Sequence, residues 1–397
     1  MTQLTPEVKL ILASVKIHPS HEELECLDSL ILEVTDWDYL VSTIIDLGLG
    51  PLLYKKITLL KNSKQIPHAV HYKLQQTYYR TFSRSVFMYE HFHAMAGVLT
   101  SRGIDIIALK GIYLSEWMYE DPGLRQFADI DILVKKEDAL TCLGILLEYG
   151  YISTETEKIE KVRDKFDLVH FAPMVLDGVS IEVHINLHRK SGKYKLNIDQ
   201  IIKNALPFVL KETTIYAPNL YDLLVHLCVH LDKHFRVEFF QFTGIIDITN
   251  ILEIKKDNID WNHLIDTSRL HKCENIVFMY VILINKYLNA YVPQDIIDHY
   301  CGLLSEKDEM LFCKYVGGFK SPAGGVPNHL WNLRQHESFF AKFSYLLKII
   351  FPSRIFMITK YQIRHPFLVF FYYPYRYFSA IKGLISILKS HSMNDFK

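Results

Sequence analysis

The stretch that decides the fold runs from Ala108 to Val134 and reads ALKGIYLSEWMYEDPGLRQFADIDILV. Its periodicity predicts a strand over 104–109, an amphipathic helix over 112–119 and, after a Pro-Gly turn, a second strand over 130–134. A strand, a helix and a strand in this order indicate a compact unit of mixed α and β structure.

Two carboxylates belong to the second of these strands. Asp129 and Asp131 are two residues apart, so both project from one face, whereas Ile130 faces the other way. Two like charges within an apolar strand destabilise a fold unless a cation joins them. The pair therefore predicts a magnesium site, and the alternative is two solvent-exposed acids at the end of a strand.

A third acid follows further along the chain. The pattern predicts one more helix and two more strands, over 136–149, 165–173 and 179–184. Asp177-Gly178 between these two strands is a strong signal of a hairpin turn. On the last strand Glu182 and His184 share one face, and a position beside the two aspartates would make Glu182 a third ligand. Because alternation alone also explains Glu182, a plain surface position is the alternative.

Phosphoryl transfer and nucleotidyl transfer are reactions that explain three converging acids. Both pass through a crowded anionic transition state, which two metal ions about 3.5–4 Å apart can stabilise. Because Mg²⁺ prefers oxygen ligands, Asp129, Asp131 and Glu182 are the predicted metal ligands and catalytic residues, with Mn²⁺ as the alternative ion. Glu182 is also the candidate base for the proton of an attacking hydroxyl.

Four further residues are candidates for binding the nucleotide. Gly111 lets the backbone approach a phosphate, and the start of the following helix offers N–H groups to it. Lys110 and Arg125 supply positive charge for a triphosphate, although each could be an ordinary surface charge. His184 is the fourth candidate, with a structural role as the alternative.

Composition limits the classes of protein. The chain has 397 residues, 49% hydrophobic and 22% charged, which is ordinary for a globular protein of two or three domains. Its formal charge is zero, so no global field draws it to nucleic acid or membrane. The six cysteines lack CxxC spacing, which argues against a zinc site or a disulfide framework. No apolar run approaches the roughly 18–20 residues of a transmembrane helix. We expect a cytoplasmic protein, with a peripheral membrane location as the alternative.

Helical periodicity flanks the core on both sides. Before it, apolar residues recur at three and four spacing over 4–13, 22–32, 37–47 and 69–99. The chain is expected to become helical again after Gly192. There, a predicted helix carries His226, His230 and His234 at four spacing on one face. Because metal sites draw ligands from several elements, structural or substrate-lining histidines are favoured over a metal site.

The C-terminal part differs in charge from the rest. Residues 341–390 contain eight Lys or Arg and no Asp or Glu, whereas the remainder of the chain contains 36 basic and 44 acidic residues. Aromatic residues crowd the same span. This combination fits a tail docked on the acidic body, a membrane-surface anchor or a platform for single-stranded nucleic acid, and docking is favoured.

The order of LKG, RxxxDID and EVH along the chain resembles the DNA-polymerase-beta-like nucleotidyltransferase superfamily, above all its poorly characterised bacterial group. The resemblance covers 104–188 and, more loosely, the helices that follow. It implies that Asp129 and Asp131 match the first acidic pair and Glu182 the third acid. Lys110-Gly111 matches the glycine loop, which usually has Gly or Ser next, whereas Ile112 stands here.

Together these features predict an α+β fold. Its centre is a small nucleotidyltransferase-type mixed β-sheet core with helices, flanked by N-terminal and C-terminal α-helical regions. The predicted parts are an N-terminal helical region, the catalytic core, a helical domain and a basic aromatic C-terminal helical region, over 1–100, 101–190, 191–320 and 321–397.

The resemblance implies an enzyme that moves a nucleoside monophosphate onto an acceptor hydroxyl or similar group and releases pyrophosphate. AMP from ATP is the favoured case. The acceptor could be a small molecule, a sugar, a peptide, RNA or protein, and residues 341–390 would make any contact with a membrane surface or nucleic acid. A phosphotransferase and a catalytically silent protein that binds a nucleotide or a partner are the alternatives.

Overall fold

A computed structural model describes residues 4–154, 168–189, 192–235 and 241–318, with short stretches at 343, 357, 368–374 and 376–377. The chain divides into two compact units, Met1–Lys190 with Tyr194–Ser321 and Ser191–Lys193 with Pro322–Lys397. The larger unit combines a mixed sheet with many helices, so the predicted α+β class is confirmed. The division into four parts stays a prediction.

The N-terminal part forms helices α1 (Pro6–Ala13), α2 (His21–Glu33), α3 (Trp37–Asp46), α4 (Gly50–Ile57) and α5 (His68–Ser101). Local sequence sets where they begin. The Thr5 side chain caps α1, and Ser20 and Glu23 form a reciprocal capping box at the start of α2. The sequence pattern did not predict α4. Pro51 is nevertheless compatible with the first turn of a helix, because no N–H is needed there.

The strands are β1 (Ile107–Ala108), β2 (Asp129–Leu133), β3 (Ile152–Ser153), β4 (Met174–Leu176), β5 (Val179–His184), β6 (Leu206–Leu210) and β7 (Thr213–Ala217). They form a seven-stranded mixed sheet in the spatial order β3, β4, β5, β2, β1, β7, β6. The strand predicted over 104–109 shrinks to the two residues of β1, which lies between β2 and β7.

The pairing of β2 with β5 determines where the acids lie. The two strands are parallel, with Asp131 opposite Glu182 and Leu133 opposite His184. Paired residues on neighbouring strands project from the same face of a sheet. The strand of Glu182 therefore lies beside the strand of the two aspartates, as the sequence predicted.

The predicted hairpin turn at Asp177-Gly178 is confirmed. Both residues have a positive φ, 49° and 77°, as a type I′ turn requires, and they join β4 to β5 in antiparallel pairing. The strand predicted over 165–173 was wrong in position, because the paired strand is β4. Within 168–173 only an isolated bridge from His170 to His184 forms, and 165–167 lie outside the described residues.

The β6–β7 hairpin corrects the expectation that the chain is helical after Gly192. β7 pairs in parallel with β1 and antiparallel with β6, so the hairpin completes the sheet. The β-branched run in β7 is a strand signal, but Pro207 in β6 argues against a central strand. Pro207 is tolerated because β6 is an edge strand.

Further helices described in the larger unit are α6 (Lys110–Trp117), α7 (Ala139–Glu148), α8 (Ile198–Lys203), α9 (Leu220–Phe235), α10 (Phe242–Ile254), α11 (Trp261–Leu270), α12 (Glu274–Leu288), α13 (Gln294–Tyr300) and α14 (Glu306–Val316). A continuous buried core reaches from Val8 in α1 to Val316 in α14. Among the described residues, no helix combines the length and the apolar character that crossing a membrane requires. Most of the basic aromatic tail at 341–390 lies outside the described residues.

A buried ion pair ties the loop before β2 to α10. Arg125 Nε and Nη2 donate hydrogen bonds of 2.9 and 2.6 Å to the two carboxylate oxygens of Asp247. The Tyr119 hydroxyl donates a third, of 2.8 Å, to the same carboxylate. The side chains of Arg125 and Asp247 are only 7% and 1% exposed. Removing either charge would leave the other buried without compensation.

Asp247→Leu is expected to lower the free energy of unfolding by about 3–5 kcal/mol, because it leaves the Arg125 guanidinium uncompensated in the interior. Adding Arg125→Met to that variant should recover much of the loss. Asp257→Leu, at an exposed position, is the matched control and should change stability by less than about 0.5 kcal/mol. Denaturant unfolding followed by circular dichroism measures all three, and wild-type stability of Asp247→Leu would contradict the expectation.

Candidate active site

Asp131 is the centre of a buried polar cluster, and its side chain is 6% exposed. Its Oδ1 accepts a hydrogen bond of 2.7 Å from His184 Nε2, and its Oδ2 lies 3.3 Å from Lys110 Nζ. Burial alone would raise the pKa of Asp131. Lys110 and His184 outweigh burial and hold the pKa well below its usual range, so Asp131 is ionised.

Glu182 lies beside Asp131 and is more open, with 22% of its side chain exposed. Its Oε2 lies 3.6 Å from both His184 Nε2 and His170 Nδ1. Burial works to raise the pKa of Glu182, but the two histidines outweigh it and lower the pKa. One ligand atom each from Asp131, Glu182 and His184 lie within 4.8 Å of one another. Two carboxylate oxygens and one imidazole nitrogen are a donor set that suits a divalent cation.

Asp129, the other member of the predicted acidic pair, is partly buried at the start of β2 and lies opposite Ser180. Burial and the charges of Asp131 and Glu182 raise the pKa of Asp129 to about 6. Burial is the larger cause of this shift, and repulsion from the neighbouring acids, which a cation joining them would remove, adds to it. The structure thus brings Asp131 and Glu182 together with His184, whereas Asp129 is not part of that close group among the described residues. The catalytic and metal-binding roles of the three acids stay predictions.

Lys110 and Gly111 begin α6, directly after β1. Lys110 has a φ of 38°, which few residues other than glycine adopt, and its Nζ faces Asp131. A Cβ added at Gly111 would lie 2.9 Å from Phe127 Cβ and 3.1 Å from Arg125 Nη1. Packing therefore requires the glycine. Phosphate binding by Lys110 and Gly111 stays a prediction.

Arg125 approaches Gly111 but is largely committed elsewhere. Asp247 engages its Nε and Nη2. The remaining nitrogen, Nη1, is buried and has no hydrogen-bond partner within the described part of the chain. Only Nη1 could therefore meet a phosphate, and that role also stays a prediction.

Sequence reasoning missed His170. Its ring lies 5.0 Å from the ring of His184, and its Nδ1 faces Glu182. No motif could have indicated this, because His170 reaches the site through an isolated bridge outside the regular strands.

The predicted row of histidines lies on α9, and the imidazole of His226 in this helix is buried. Neither ring nitrogen of His226 has a hydrogen-bond partner among the residues described. Burial, together with the charges of Lys110 and His184, lowers its pKa far below the usual range. The side chain of His234 lies outside the described part.

The chain belongs to a family described as uncharacterised nucleotidyltransferases, which matches residues 33–289. The matched range includes all the strands named above and ends just after α12. Membership confirms the resemblance that LKG, RxxxDID and EVH indicated, and it supports nucleotidyl transfer as the general activity. No curated protein matches the chain.

Gly111→Ala is expected to lower the free energy of unfolding by about 1–3 kcal/mol, because Phe127 Cβ is fixed to the backbone and cannot rotate away. The matched control is Gly144→Ala in α7, where an added Cβ meets nothing within 4 Å. That variant should gain about 0.5–1 kcal/mol, since alanine favours a helix over glycine. Urea unfolding of both variants is the measurement, and a neutral Gly111→Ala would refute the packing argument.

Proposed function

We propose, from the premise that the chain belongs to this family, that it is a nucleotidyltransferase dependent on a divalent cation. It transfers a nucleoside monophosphate from a nucleoside triphosphate, with ATP favoured, to an acceptor hydroxyl. The observation that carries the proposal is the convergence of Asp131, Glu182 and His184 within 4.8 Å. Adjacent strands hold this group, and the partly buried Asp129 precedes it on the same face.

Asp129, Asp131 and Glu182 are the proposed ligands of the cation, Mg²⁺ or Mn²⁺. Their fit rests on the donor chemistry and on the raised pKa of Asp129, which burial and the neighbouring acids cause. A divalent ion held there supplies positive charge that stabilises the anionic transition state of phosphoryl chemistry.

Lys110 and the start of α6 are the proposed phosphate-binding elements. Lys110 Nζ lies 3.3 Å from Asp131 and is therefore positioned where acids and phosphates would meet. The first backbone N–H groups of α6 have no partner within the helix and can donate to phosphate oxygens. Arg125 would support this loop through its contact beside Gly111.

The proposed reaction balances as a single displacement. The acceptor oxygen bonds to the α-phosphorus, the bond from the α-phosphorus to the bridging oxygen breaks, and pyrophosphate leaves. Glu182 takes the proton of the hydroxyl. Its side chain is 22% exposed against 6% for Asp131, so an acceptor reaches Glu182 more easily.

Incubation with each NTP labelled at the α-phosphate, a divalent cation and a cell extract as the source of acceptors tests the proposal. Label should move to an acceptor, chelation of the cation should stop transfer, and Asp131→Asn should slow it by about 10²–10³-fold. The matched control is Asp105→Asn, an exposed residue paired with Lys135, which should keep the wild-type rate.

Equal labelling by the wild type and Asp131→Asn would contradict the proposed site. Transfer of a γ-label without an α-label would identify a phosphotransferase instead. Binding of NTP without any transfer, with every nucleotide and extract, would identify a catalytically silent protein.

A further inference from the structure

We propose that His184 is itself a ligand of the cation, together with Asp131 and Glu182. A site with this nitrogen takes a divalent transition-metal ion in preference to Mg²⁺. The inference rests on the proposed function for the presence of a cation, and it concerns which atoms hold the ion.

The distances from His184 to the two carboxylates are close to those between neighbouring ligands of one ion, and one ligand atom from each of the three residues lies within 4.8 Å of the others. His184 Nε2 lies 2.7 Å from Asp131 Oδ1 and 3.6 Å from Glu182 Oε2. An octahedral ion with bonds of about 2.1 Å places neighbouring ligands about 3.0 Å apart. The two observed separations bracket that value. Small side-chain movements therefore bring all three atoms onto one ion.

The backbone keeps His184 in this position. His184 follows Glu182 by two residues on β5, so both side chains share the face of Asp131. The imidazole is 5% exposed and is enclosed in the site. Its Nδ1 has no hydrogen-bond partner in the described ranges, so no contact found there holds Nε2 away from the carboxylates.

Lys110 and His184 contact different oxygens of the Asp131 carboxylate. Lys110 Nζ faces Oδ2, whereas His184 Nε2 faces Oδ1. An ion bound at Oδ1 would replace the hydrogen that Nε2 now donates, and Lys110 could keep its contact with Oδ2. His184 Nε2 therefore already points toward Asp131 and Glu182 in the absence of metal. After Nε2 loses its proton, its lone pair has the direction that a bound ion requires.

A nitrogen ligand decides between the candidate ions. Mg²⁺ is a hard cation that prefers oxygen, whereas imidazole suits transition-metal ions such as Zn²⁺, Fe²⁺ and Ni²⁺. His170 is the other nearby nitrogen donor, 3.6 Å from Glu182 Oε2, and its side chain is 38% exposed. It is not part of the three-residue group found among the described residues. His170 is therefore the matched control for His184.

Pulsed electron paramagnetic resonance of Mn²⁺ bound to the full chain tests the inference. We expect nitrogen hyperfine coupling in the wild type and in His170→Gln, and none in His184→Gln. In competition titrations, Mg²⁺ should displace Zn²⁺ from the wild type only at an excess of about tenfold or more, and His184→Gln should reduce that preference about tenfold.

Manganese that binds the wild type without nitrogen coupling, or does not bind, would overturn the inference. Coupling lost in His170→Gln but kept in His184→Gln would also overturn it, by assigning the ligand to His170. If His184→Gln fails to fold, isotope-labelled histidine in His170→Gln decides, because a change in coupling then shows a histidine ligand other than His170. Failure of the proposed function has a different signature, namely no label transfer from any NTP while the manganese spectrum still reports the ligands.

Discussion

The site depends on one constraint, namely that the parallel pairing of β2 with β5 places the carboxylates of Asp131 and Glu182 side by side. A register slip of one residue would send one of them to the opposite face of the sheet. Ile130 and Ile132, fully buried on that opposite face, make such a slip costly because both would have to leave the core. Lys110 and His184 then compensate the charge of Asp131 at 3.3 and 2.7 Å. The fold thereby holds acids at a place where an apolar core would otherwise reject them.

The larger unit supports this constraint through contacts far from it in sequence. Because Gly111 has no side chain, Phe127 and Arg125 can pack closely against the start of α6. Arg125 is in turn fixed by Asp247 in α10. The start of α6, which carries Lys110, is therefore connected through Arg125 to α10. Such a connection suits a site whose groups must keep their geometry while charge develops.

Strand β2, which carries Asp129 and Asp131, could be predicted because the residues that indicate it are neighbours in the sequence. Asp129 and Asp131 are two apart in an apolar run, and Asp177-Gly178 sets the turn that begins β5. His170 and Asp247 could not be predicted, since each meets its partner only through tertiary contacts. The β6–β7 hairpin was not predicted, because Pro207 argues against a central strand and β6 is an edge strand, where proline is tolerated. β1 is too short to have a reliable pattern of its own, and pairing with β2 and β7 on either side stabilises it.

The most direct measurement of the central claim is an anomalous-difference map from crystals of the chain soaked with Mn²⁺. A peak is expected between Asp131 Oδ1 and Glu182 Oε2, at about 2.1–2.3 Å from each oxygen. Saturating manganese with no peak near these two carboxylates, or with peaks only elsewhere on the chain, would contradict the claim that the paired strands form a cation site.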